Sequence, residues 1–368
     1  MLGSQHRDTY PGANESANWR ATARYTEGYK RLRTFRTSTD RRLLDEAEKL
    51  LREAVAIDPA YQAARFHLGV VEELQGRHED AAHQFEELLA LVDKVPAEVL
   101  YNTGLAYFHH YTDEGYEKAE GYLRKATEAA GRGVDADHHS PTYQAIAVLA
   151  RAVLAQVYSH RSIQPPNETA EKFRPTAEKY YSKALGTADQ ALKEFQSSET
   201  EIERLDPRLK SDIGWGIYNA RGHAKLYAAR RCENGSEKEK LFEAAVGEFK
   251  QALKYDPNNI RVLSNIGSAK FFLAEARRDA SKGALLEEAE REFQRVLSLR
   301  PDYDFAFYRL AEIEIRRGCS EAATKYLELA ERHPSEMTPE RLQDLKKKIE
   351  SMPIRLPEVI KLKPPHTN

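Results

Sequence analysis

Paired histidines, paired glutamates and two isolated cysteines are the groups in this 368-residue chain best suited to metal or acid–base chemistry. His109-His110 and His138-His139 offer imidazole nitrogens to a metal. Adjacent side chains on a helix diverge, however, and no carboxylate or thiol stands beside either pair at ligand spacing. Glu72-Glu73 and Glu287-Glu288 could serve as acid and base only if their environments set their pKa values apart; on strongly charged helices they read as solvated surface. Cys232 and Cys319 sit in no catalytic motif. The chain has no glycine-rich phosphate loop, no serine nucleophile elbow and no helix-borne paired-histidine motif. The expectation is a non-enzymatic protein with no catalytic residue, no metal ligand and no cofactor.

Binding is then the chemistry left to explain, and composition narrows it. Lys+Arg number 56 against 58 Asp+Glu, so the chain lacks the cationic surplus of a general nucleic-acid binder. Basic residues do gather at the two ends: Arg20, Arg24, Lys30, Arg31, Arg33, Arg36, Arg41 and Arg42 near the start, Lys346, Lys347, Lys348, Arg355, Lys361 and Lys363 near the finish. They read as solvated helix faces or as a surface for an acidic partner. Two cysteines are too few for a disulfide framework, Met1 to Pro11 lacks the apolar core of a signal peptide, and no apolar run is long enough to cross a membrane. These features suggest a soluble, cytoplasmic protein without membrane partners.

The elements that must position any binding side chain show themselves as a repeat. Ala47, Leu51, Ala54 and Pro59 recur after 34 residues as Ala81, Phe85 and Leu88, and Ala289, Phe293, Val296 and Pro301 recur at the same interval as Ala323, Leu327 and Ala330. Ala245, Phe249, Ala252 and Pro257 precede the next copy by 44 residues, which implies a ten-residue insertion between the two helices of that repeat. A companion helix carries Leu100-Tyr101-Asn102-Thr103-Gly104-Leu105-Ala106-Tyr107-Phe108 and Leu263-Ser264-Asn265-Ile266-Gly267-Ser268-Ala269-Lys270-Phe271. Weaker copies run from Arg65 to Gly69, from Tyr218 to Ala224 and from Phe307 to Ala311. A small residue at the closest crossing lets two helices approach, and the large residues fill the space between neighbouring pairs.

Period and signature together resemble the tetratricopeptide repeat over roughly residues 40 to 335. The resemblance implies an all-α fold, an α-solenoid of about seven antiparallel helix pairs near 15–57, 61–93, 96–130, 141–197, 208–255, 259–299 and 303–333. A helix near Pro339 to Met352 should cap it with a polar outer face. Residues 1–14 are expected as a flexible N-terminus, 15–130 as one subarray, 131–140 as a linker or hinge, 141–335 as a second subarray with a divergent first pair of lengthened helices, and 353–368 as an extended Pro-rich tail. Further insertions fall around Arg33 to Asp40, Tyr111 to Tyr116, Cys232 to Glu237 and Arg277 to Gly283.

In this family the concave groove is lined from the first helix of each pair. The motif positions nominate Phe66, His67, Val70, Tyr101, Asn102, Leu105, Asn219, His223, Arg261, Asn265, Phe305 and Arg309 as a surface for a peptide or protein partner. Asparagines can bond a peptide backbone, arginines its carboxylates, and aromatic rings supply anchoring area. Some family members clamp the C-terminal carboxylate of chaperones; Asn265 and Arg309 match that clamp, but Asn219, His223 and Phe305 stand where further charge is needed, so that activity is not expected. The resemblance implies a scaffold, adaptor or regulatory subunit. The alternative is a sensor that contacts nucleic acid through its basic terminal helices and controls a separate effector enzyme.

Overall fold

A computed structural model describes residues 18–38, 40–110, 112–136, 141–162, 170–333 and 337–352. These residues form fifteen α-helices and no strand. In chain order they are α1 (Trp19–Ser38), α2 (Arg42–Ile57), α3 (Gln62–Leu74), α4 (His78–Ala90), α5 (Ala97–Phe108), α6 (Asp113–Ala136), α7 (Pro141–Arg161) and α8 (Ala170–Leu205). Then come α9 (Pro207–Arg231), α10 (Gly235–Tyr255), α11 (Ile260–Ala276), α12 (Ser281–Leu299), α13 (Asp304–Arg317), α14 (Ser320–Arg332) and α15 (Pro339–Glu350). The expected seven pairs and terminal helix are all present. The chain divides into two compact units at Pro257/Asn258, so α1–α10 belong to the first and α11–α15 to the second.

Within each unit the packing rule is the same. Every first helix pairs with the second helix that follows it, and that second helix also packs on the first helix of the next pair, as α4 does on α3 and α5 or α12 on α11 and α13. First helices also touch one another, α3 against α5 and α11 against α13. A helix flanked on both sides has almost no solvent face, which is why α3 buries every residue from Gln62 to Glu73. A second helix has an outer face, so α12 buries only Leu286, Ala289, Phe293 and Val296, spaced three and four apart. This stacking of antiparallel pairs is the all-α solenoid architecture.

In the second, third, fifth and sixth pairs the two helices interlock at a glycine. A Cβ on Gly69 would stand 2.8 Å from the Phe85 ring, one on Gly104 2.7 Å from Leu123, and one on Gly267 2.8 Å from Phe293, while Gly222 is closer still to Phe249. The partner side chains Phe85, Leu123, Phe249 and Phe293 are all fully buried. In the last pair Ala311 and Leu327 take these roles with a smaller apolar partner. Two other glycines serve the turns: Gly76 and Gly318, after α3 and α13, hold φ of 82° and 78°, a region that favours glycine.

The ten-residue insertion in the sixth pair is absorbed by helix rather than loop. α11 and α12 run 17 and 19 residues, against 13 each in α3 and α4, and only residues 277–280 connect them. The divergent fourth pair is lengthened in the same way, to 21 residues in α7 and 36 in α8. α6 continues through Ala136, into the segment expected to be a linker, and residues 137–140 lie outside the described residues. The expected flexible N-terminus and Pro-rich tail also lie outside them. The terminal helix α15 buries Leu342, Leu345 and Ile349 against the last pair and keeps Lys346, Lys347 and Lys348 exposed. Its approach is pinned by Asp304, a fully buried carboxylate that accepts the amides of Phe305 and Met337, each at 2.8 Å.

Because the Gly267 notch and the Phe293 ring occupy one shared space, altering either should destabilise. Gly267→Leu is expected to lower unfolding free energy by about 2–3 kcal/mol and Phe293→Ala by about 3–5 kcal/mol. The paired change Gly267→Ala with Phe293→Leu should lose clearly less than the sum of its single changes. Urea denaturation followed by circular dichroism measures these variants and the single changes Gly267→Ala and Phe293→Leu, and strict additivity would contradict the interlock.

Candidate functional site

The nominated first-helix residues separate into supports and accessible groups. On α3, Phe66, His67 and Val70 are buried: Phe66 packs on Phe85 at 5.8 Å between ring centres, and His67 lies against Tyr25 and Tyr29 of α1 while its Nδ1 bonds the Ala63 carbonyl at 2.8 Å. On α5, Tyr101 and Asn102 are buried, with Asn102 donating to the Glu98 carbonyl, and Leu105 is half-buried against the core. On α9, Asn219 is buried and His223 half-buried. Arg261 at the start of α11 is exposed, and Asn265, Phe305 and Arg309 are half-buried.

In the C-terminal unit the structure builds a defined site around Arg309. Its guanidinium lies 5.0 Å from the centre of the Phe272 ring, 5.1 Å from Phe305, 5.8 Å from Tyr308 and 5.9 Å from Phe271. The residues come from two adjacent first helices, α11 and α13. One edge of the guanidinium donates to Glu312 at 2.7 Å, and Nε is buried without a hydrogen-bond partner among the described residues. Such a cation held between rings is rigid, partly desolvated and geometrically suited to a carboxylate or carbonyl. Phe305 and Arg309 carry a sequence signal through their motif positions. Phe271, Phe272, Tyr308 and Glu312 were missed, although Tyr308 and Glu312 stand one residue before and three after Arg309.

The N-terminal unit gathers imidazoles instead, and here two expectations are corrected. Glu72 and Glu73 are not surface charge: both are buried, because α3 is flanked on both sides. Glu72 accepts from Arg52 at 2.6 Å. Nor does His109 lack a nearby carboxylate: its Nδ1 donates to Glu73 Oε1 at 2.5 Å, and His78 Nδ1 donates to Oε2 at 2.8 Å. Burial opposes the Glu73 charge, but the two imidazole hydrogen bonds outweigh it and hold the carboxyl at about 2. His109 and Glu73 each stood out in the sequence but not together, and His78 did not stand out, since the three arrive from α5, the end of α3 and the start of α4. His138 and His139 lie outside the described residues.

Beside this cluster, His160 at the end of α7 sits among Phe108, Tyr116, Tyr227 and His223, with ring centres 5.4–5.9 Å apart. Burial, with His109 nearby, pushes its pKa down to about 4. His223, nominated for the groove, also meets Phe249 at 5.7 Å, so it belongs to this packed aromatic row. Among the described residues no helix is long and apolar enough to cross a membrane, and both cysteines are free.

Comparison with known proteins bears on the fold. No protein-family model and no curated protein matches the chain. A tetratricopeptide repeat protein from Parabacteroides merdae is similar in structure at a TM-score of 0.53 and 14% identity, covering 90% of this chain and 100% of its own. A thermophilic TPR protein of Thermus thermophilus aligns at a TM-score of 0.40 and 15% identity, over 70% of this chain and 98% of its own. The TPR2AB domain of yeast Sti1, solved as a complex with pHSP90, aligns at 0.25 and 18% identity, over 78% and 98%.

The depressed pKa of His160 makes stability depend on pH with a definite sign. The unfolded chain takes up the proton near 6.5 and the folded chain only near 4, so this stability is complete above pH 6.5 and is lost as pH falls toward 4. Allowing for the half-buried setting, the loss between about pH 7.5 and about pH 5 should be about 1 kcal/mol. Urea midpoints for wild type and His160→Phe at the two pH values test this: the wild type should lose more stability than the variant, and identical losses would contradict it.

Proposed function

Taking the tetratricopeptide-repeat fold as the premise, we propose that the chain is a non-enzymatic binding protein, a scaffold or regulatory subunit that engages an extended segment of a protein partner along its first helices. The observation that carries this reading is the Arg309 site. A guanidinium bracketed by four rings, with a half-buried amide residue, Asn265, on the neighbouring helix, offers one charged anchor and adjoining apolar area. Partner recognition commonly concentrates its energy in such arginine and aromatic groups.

The nominated residues then fall into two tasks. Arg261, Asn265, Phe305 and Arg309 in the second unit retain exposed surface and would meet the partner, and Leu105 in the first unit is partly exposed; Phe66, His67, Val70, Tyr101, Asn102, Asn219 and His223 would hold the helix faces in shape. The phosphate-binding alternative has weaker support, because arginines at the N-terminal end are already matched by acids. Arg24 pairs with Glu53 at 3.0 Å, Arg31 with Glu27 and Glu46 at 3.0 and 2.7 Å, and Arg42 with Asp40 at 3.0 Å. In the terminal helix Lys347 faces Asp344 and Lys348 faces Glu312, each at 3.7 Å.

The reading is tested by cross-linking mass spectrometry in native extract, comparing wild type with Asn265→Ala plus Arg309→Ala. A partner cross-linked to α11 or α13 should be recovered at least about tenfold less with the double variant, the equivalent of about 1.4 kcal/mol. The variant's far-ultraviolet circular dichroism should match wild type. Equal recovery of every partner from both proteins would remove Arg309 and Asn265 from the binding surface.

A further inference from the structure

We propose that Glu73, His78 and His109 form a site for one divalent transition-metal ion of the zinc type, with an open coordination position facing solvent. The donor set is two imidazoles and one carboxylate, the nitrogen–oxygen mixture that suits such ions. One ligand atom from each residue lies within 4.8 Å of the others. Zinc holds its ligands at about 2.0–2.2 Å, which places tetrahedral donor atoms a little over 3 Å apart. The two hydrogen bonds from imidazole to carboxylate are 2.5 and 2.8 Å long, so a small outward shift of the side chains admits an ion among them. The ion takes the place of the Nδ1 protons that now bind Glu73, and each ring then ligates through Nδ1 as the neutral tautomer that carries its proton on Nε2.

The surroundings favour a cation. The ligands come from three elements: Glu73 lies in the last turn of α3, His109 is the C-cap of α5, and His78 opens α4. Two helix C-termini, with their partial negative charge, thus meet at the site and outnumber the one N-terminus, that of α4. A cavity of about 800 Å³ adjoins it, lined by His78 and His109 and by the acids Glu79, Asp80, Glu86 and Glu114. The lining cations are already engaged, Arg77 with Glu48 at 2.7 Å and Lys118 with Glu114 at 3.1 Å. A second observation comes from His110, which lines the same cavity and whose Nε2 is buried without a hydrogen-bond partner among the described residues. Three protein ligands beside an open cavity leave the remaining position to water. An ion held there would clasp the second and third helix pairs together.

The test uses full-length protein stripped with a chelator and exchanged into metal-free buffer. Calorimetric titration with zinc chloride should show one site per chain with a Kd of about 10 µM or tighter, and cobalt chloride should give visible absorption bands of a coordinated ion. His78→Ala and His109→Ala should each weaken zinc binding by at least about tenfold, while His333→Ala, in the other unit, should leave it unchanged. Should His109→Ala fail to fold by circular dichroism, His78→Ala, which removes a half-buried residue at a helix start, decides alone. Absence of saturable binding below about 100 µM zinc, or unaltered affinity in the folded variants, overturns the proposal.

Discussion

The closeness of two helices at a glycine is the constraint on which the architecture rests. Where Gly69, Gly104, Gly222 and Gly267 present bare backbone, a ring or a leucine from the paired helix fills the notch completely. The fit fixes the depth of each pair, and depth determines which residues of the first helix meet the next pair. Without it, the large side chains of α4, α10 and α12 would hold the helices apart and expose the alanines that line their shared seam. Helix length is left free, and so α11 and α12 can grow while their crossing keeps the same chemistry.

That freedom explains what could be read from sequence. Small and large residues at the crossing recur at a regular interval, so the repeated pairs were legible from them, and the capping helix from its polar outer face. The insertion was legible in size but not in form, because a ten-residue excess is equally consistent with a loop or with extra helical turns. Extension preserves backbone hydrogen bonds that a loop would have to satisfy elsewhere, and α11 and α12 take that course.

The sites were legible only in part, for a geometric reason. The repeat's motif positions lie within single helices, which is how Arg309 and Phe305 could be nominated together. They say nothing about residues brought in by another helix. Glu73 reaches His109 across 36 residues, and Phe272 reaches Arg309 across 37. The glutamate pair on α3 was misread for a related reason: a charged helix looks solvated until it is flanked on both sides, and then its carboxylates need partners. Glu72 finds Arg52, and Glu73 finds two imidazoles.

Asp304 shows what this kind of construction implies at a chain end. It opens α13, yet one of its carboxylate oxygens is committed to the amide of Met337, just ahead of α15. Undocking the cap would break that bond and uncover Leu342, Leu345 and Ile349, so detaching the last helix costs more than the loss of its own turns. The C-terminal end of the array is in that sense latched, with a polar bond and an apolar seam acting at the same place.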